Sequence, residues 1–189
     1  RRILLGEAGA ERPARLERFD AVFGFFSLNG DGHVLDKLRA AGEPALDVVA
    51  RRHLVELATK DYGWLAVEAS EGLTLSILQL QWPRLEFIHF YMNGADDVAR
   101  YKKYTWCSPT SRYITMGRPG YTEQVKAGMI EADVDPESGY FVLGPDLQDI
   151  SATDARRALM QRDVVGLTKL LHLDVAQWCL TQGPYTSNG

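Results

Sequence analysis

Residues 64–82 read WLAVEASEGLTLSILQLQW, two apolar runs on either side of Glu71-Gly72. A two-residue, Gly-containing turn between strand-like segments is the short-range signature of a β-hairpin. On this reading 64–70 and 73–82 are antiparallel neighbours, and the sheet they begin is antiparallel. In the second run Leu73, Leu75 and Ile77 alternate on one parity, then Leu78, Leu80 and Trp82 on the other. Such a switch predicts a β-bulge near Ile77, with Pro83 ending the strand.

The pattern continues downstream. Residues 85–92, LEFIHFYM, are apolar on both parities, which predicts a central strand covered on both faces. Pro119-Gly120 marks a tight turn, and 133–144, DVDPESGYFVLG, reads as another turn between strand-like runs. Residues 121–128 suit a helix and a strand equally. The sheet is therefore expected over about residues 63–144.

Helices flank it. Leu16, Phe19, Val22 and Phe23 recur at spacings of three and four, one face of a helix. Residues 33–42, HVLDKLRAAG, predict a short helix ending at Gly42. Pro44 suits the first turn of a helix over 45–60 that buries Leu46, Val49, Leu54, Leu57 and Ala58, with Glu56 and Lys60 paired outside. Beyond the sheet, Ser151 and Asp154 resemble a capping box. Asp163 then caps a helix with the stripe Val164, Leu167, Leu170, Leu171, Val175 and Trp178, stopped by Gly183-Pro184. The expectation is a single α+β domain over 1–189: helical over 1–60, antiparallel sheet over 63–144, helical over 151–182.

Composition sets broad limits. The 189 residues are 46% apolar and 24% charged, an ordinary balance for a domain that folds on its own core. The net charge of −4 argues against whole-molecule attraction to nucleic acid or anionic membrane. No apolar run approaches a membrane span, and residues 1–19 show no signal-peptide pattern. Cys107 and Cys179 lie far apart with no paired spacing, which predicts free thiols and a cytoplasmic location.

Motifs that invite a function fail on spacing. Residues 27–38, SLNGDGHVLDKL, resemble a calcium loop, with Asn29, Asp31 and Gly32 at the third, fifth and sixth positions. The first position is Ser27 and the twelfth is Leu38, so the bidentate carboxylate is missing. A turn between helices is the reading. Cys107 and Arg112 are separated by four residues, one short of a phosphate-cradling Cys-loop, and Pro109 removes a donor. His33, His53, His89 and His172 form no ligand pair; His53 and Glu56 share a helix face without a second such motif. No cofactor or metal site is expected.

Charge is placed unevenly. Residues 100–126 hold the basic residues Arg100, Lys102, Lys103, Arg112, Arg118 and Lys126 against Glu123 alone, while 131–154 hold seven acidic residues and no Lys or Arg. The basic stretch interleaves aromatic rings, and cations beside rings stack on flat groups and anchor interfaces. Tyr101, Lys102, Lys103, Tyr104, Trp106, Arg112, Tyr113 and Arg118 are thus expected to form a binding surface. A protein or peptide is the leading partner, ahead of single-stranded nucleic acid or a small anionic ligand. The competing reading puts the rings in the core and pairs the cations with the acidic stretch. The function expected is non-enzymatic binding, of an accessory, adaptor or immunity type. The alternative is an enzyme for a small molecule with a cleft built from Cys107, His89, Asp96 and Asp97, since strand ends host catalytic acids.

Overall fold

The computed structural model describes residues 1–68 and 73–186, with the backbone alone at His33 and Lys37. In chain order the elements are α1 (Arg2–Leu5), β1 (Gly24–Phe26), α2 (Asp31–Ala40), α3 (Val48–Thr59), β2 (Leu65–Val67), α4 (Thr74–Gln81), β3 (Phe90–Gly94) and α5 (Ala95–Tyr101). There follow β4 (Arg112–Gly117), α6 (Thr122–Glu131), β5 (Phe141–Asp146), α7 (Ala152–Gln161), α8 (Val164–Leu170) and α9 (Leu173–Thr181). Short 3-10 turns lie at Lys103–Trp106 and Pro136–Ser138. The chain forms two compact units, Arg1–Val22 with Leu75–Asp149, and Phe23–Thr74 with Ile150–Gly189.

The fold is α+β, but its sheets are parallel, which overturns the antiparallel expectation. In the first unit the strand order is β3-β4-β5, with Tyr113 facing Tyr91 and Phe141, and Ile114 facing Met92 and Val142. The cause is α5 and α6. A helix between consecutive strands carries the chain back to its starting end, so the next strand runs the same way.

Side chains of the sheet alternate between two cores. Tyr113, Phe141 and Leu143 point toward Ala95 and Val98 of α5 and Val125 and Met129 of α6. Phe90, Ile114 and Val142 face Leu4, Leu16, Phe19 and Val22 of the N-terminal segment. That segment is not the expected helix, although its apolar spacing is helical. Its amides bond at a distance instead: Phe19 N–H to Leu4 O at 3.1 Å and Arg15 N–H to Glu137 O at 3.1 Å. Phe23 is left exposed.

Two further expectations in this region are corrected. Residues of 73–82 form helix α4, not a bulged strand, and the hairpin turn at Glu71-Gly72 lies outside the described residues. Leu and Gln are good helix formers, and Leu73, Ile77 and Leu80 satisfy the helical spacing as well as the strand one. β3 is an edge strand, not the central one, and Tyr91 and Met92 are exposed.

The second unit pairs β1 with β2, also parallel. Its core joins Ala158, Leu159, Leu167, Val175, Ala176 and Cys179 to Leu54, Leu57 and Ala58 of α3. Val49 of that helix faces solvent, and α3 begins after Asp47, beyond Pro44. Helix starts follow their caps. The Asp47 carboxylate accepts from Ala50 N–H at 2.8 Å, Ser151 Oγ from Asp154 N–H at 3.0 Å, and Asp163 from Gly166 N–H at 2.9 Å. The long C-terminal helix expected after Asp163 is two: Leu171 is extended, and His172 Nδ1 accepts from Asp174 N–H at 3.3 Å to open α9. Asp31 of the calcium-like string begins α2 and holds Arg51 at 2.8 Å.

Candidate functional site

Of the eight candidate binding residues, four share one corner of the first unit, where α5 ends. Lys102 closes the helix in the left-handed region (φ 51°), its N–H reaching Val98 O. A cation there also suits the negative end of the helix dipole. The reversal sends Lys103 back to Asp97, with Nζ 2.6 Å from its carboxylate. The Lys103 ammonium lies 5.9 Å from the centre of the Tyr101 ring and 5.7 Å from that of Trp106. Arg100 stands 5.2 Å over the same tyrosine. Tyr101 and Trp106 are 50% and 52% exposed. The corner therefore presents two half-open rings with a pinned ammonium between them, a cation–π arrangement.

The other four are elsewhere. Tyr104 (4% exposed) meets Phe141 edge-on at 6.4 Å, and Tyr113 (8%) stacks beside Tyr91 at 5.4 Å, both in the core. Arg112 is 5% exposed and gives Glu17 a two-pronged ion pair at 2.5 and 2.9 Å, with Nε donating to Pro109 O at 3.1 Å. The bonds from Arg112 hold the Glu17 carboxyl below its usual range. Arg118 is at the carboxyl end of β4, paired with Asp149 at 3.2 Å and Asp96 at 2.9 Å. Its pKa is raised, chiefly by the bond to Asp149.

The carboxyl ends of parallel strands are where open α/β sheets commonly take ligands. Here Gly94 and Gly117 end β3 and β4, and Arg118 sits among the carboxylates as their counter-ion. Thr122 Oγ1 donates to Asp146 at 2.5 Å beside it. Among the described residues no group of three His, Cys, Asp or Glu side chains is arranged to hold a metal ion.

The four residues of the enzyme alternative do not converge. The Cys107 thiol donates to Tyr104 O at 3.1 Å, and burial pushes its pKa up, away from the thiolate. His89 lies on the Tyr91 ring at 4.3 Å. Asp96 is engaged by Arg118 and Asp97 by Lys103. Among the described residues, no two of these four are hydrogen-bonded to each other.

The sequence reading missed one feature, a cleft of about 530 Å³ at the amino ends of β4 and β5. Arg15, Glu17, Cys107, Asp133 and Tyr140 line it. Its walls come from segments over a hundred positions apart, such as Arg15 paired with Asp135, so no local pattern announces it. No family model matches the chain, and no curated protein matches it.

Proposed function

We propose that the protein is a non-enzymatic binding or accessory protein, of an adaptor or immunity type. Its docking surface is the corner formed by Arg100, Tyr101, Lys102, Lys103 and Trp106. The observation that carries this reading is the pair of half-exposed rings flanking the Lys103 ammonium. Large rings left open beside cations fit the composition of interface anchors. Three of the corner's five side chains are cationic, which favours an acidic face of a protein or peptide, while the net negative charge of the molecule disfavours a nucleic-acid strand. Two free thiols, Cys107 and Cys179, support a reducing compartment, and on that account we place the protein in the cytoplasm. No helix among the described residues is long and apolar enough to cross a membrane.

The enzyme alternative has less support, because its thiol is shifted away from the reactive form and its carboxylates are engaged. The test is affinity capture with the wild type and a Tyr101→Ala, Lys102→Glu, Trp106→Ala variant. These side chains are not in the buried core, so the variant keeps the fold. Loss of two interface anchors weakens binding by at least about tenfold. A specific partner held by the wild type and released by the variant supports the proposal; equal retention of every partner defeats it.

A further inference from the structure

Arg112 is a cation built into the first unit, with 6% of its side chain exposed. Groups other than Glu17 already orient its guanidinium. Nε donates to Pro109 O at 3.1 Å, and the rings of Phe90 and Tyr140 have their centres 5.7 and 5.3 Å from Cζ. Nη1 and Nη2 remain as a two-pronged donor, a shape that fits a planar carboxylate. A guanidinium this buried requires an anion, because an unpaired buried charge is strongly destabilising.

The anion that answers it comes from outside. Glu17 is 95 positions away in sequence, on the segment between α1 and β1 that forms neither helix nor strand, and its side chain is 55% exposed. The backbone around it is fixed by other groups, since Leu16 is buried and Arg15 N–H bonds to Glu137 O. The carboxylate can therefore leave by rotation about its own side-chain bonds, with the backbone in place. Glu17 and Tyr140 both line the cleft of about 530 Å³, so the place that Glu17 vacates adjoins room for a larger molecule.

We infer that Arg112, between Phe90 and Tyr140, is a receptor for the carboxylate of a small organic monoacid, and that Glu17 fills it as an internal competitor. A monocarboxylate replaces Glu17 charge for charge. A dianion adds a charge near Asp133 and Asp135, which line the same cleft, and is disfavoured. The receptor is open only while Glu17 is out, so apparent affinity falls by the open fraction, and removal of Glu17 restores it. The site shares no residue with the α5 corner, so either proposal can fail without the other.

Glu17→Ala deletes the competitor, and acetate is the fragment it deletes. Melting midpoints are compared in sodium acetate and sodium chloride of equal ionic strength at neutral pH. At about ten times its dissociation constant, acetate raises the midpoint of Glu17→Ala by about 3–5 °C over chloride, and shifts the wild type, whose receptor is filled, far less. Equal midpoints of Glu17→Ala in the two salts overturn the inference, as does an equal acetate shift in the wild type. Nitrogen-15 NMR of the unsubstituted protein reads the same site without depending on the variant's folding. The Arg112 Nε–H signal moves progressively on titration with benzoate, and a signal that stays fixed overturns the inference.

Discussion

Gly128 lies inside α6, where replacing glycine by alanine ordinarily raises stability by about 0.5–1 kcal/mol. At this position the added Cβ would stand 2.2 Å from Tyr104 Oη, 2.7 Å from Cζ and 3.1 Å from Cε1. Contacts under 3.0 Å are essentially never adopted by a real Cβ, so the ring or the helix must shift. Tyr104 is 4% exposed and held edge-on by Phe141, so its ring gives way only by losing that packing. Overpacking of this kind costs about 1–3 kcal/mol. Set against the helix gain, Gly128→Ala is expected to destabilise by about 1–2 kcal/mol. Urea unfolding followed by circular dichroism reads this as a midpoint lowered by about 0.5–1 M for an m near 2 kcal/mol per M. Tyr104→Leu removes the ring, and in that background the same alanine becomes neutral or stabilising. Stabilisation by Gly128→Ala in the wild type, or an equal cost in both backgrounds, refutes the placement of Tyr104 against α6.

Other outcomes follow from single groups. Thr115 is fully buried and its hydroxyl has no hydrogen-bond partner among the described residues, so the near-isosteric Thr115→Val is expected to raise stability by about 0.5–1.5 kcal/mol in the same unfolding assay. Glu17 has a lowered pKa in the folded protein through its bond from Arg112, so its contribution is present above the unfolded value and is lost as pH falls through the folded one. Glu17→Gln is therefore expected to cost about 1–2 kcal/mol at neutral pH, discounted because Glu17 is half-exposed, and to flatten the acid limb of a stability–pH curve. Cys107 is expected to alkylate with a pH midpoint above that of a free thiol, because burial raises its pKa; a midpoint below it returns weight to the enzyme alternative.

Local chemistry made much of the helical structure legible. Ser151 and Asp163 cap the helices they were expected to cap, and Gly42, at φ 65°, follows the end of α2. The error in the sheet traces to two short stretches. Residues 121–128 suit either period, and taking them as helix turns the strands on either side into a parallel pair. Residues 73–82 satisfy both spacings, and the Glu71-Gly72 turn tips the choice toward a hairpin. At the candidate surface, the interleaving of rings and cations marks a segment of which the fold leaves only part exposed. Tyr104 lies inside the predicted patch, yet the turn Lys103–Trp106 points it inward while Trp106 stays out. Arg112 and Arg118 look like free cations until the fold supplies Glu17 and Asp149, partners 95 and 31 positions away.

A photoreactive amino acid placed at position 106, with a second at Ile130 as an exposed control on α6, tests the docking corner most directly. After irradiation in cell extract, a discrete adduct with one protein is expected at position 106 and none at position 130. No adduct at 106, or the same adducts at both positions, contradicts the assignment of this corner as the docking surface.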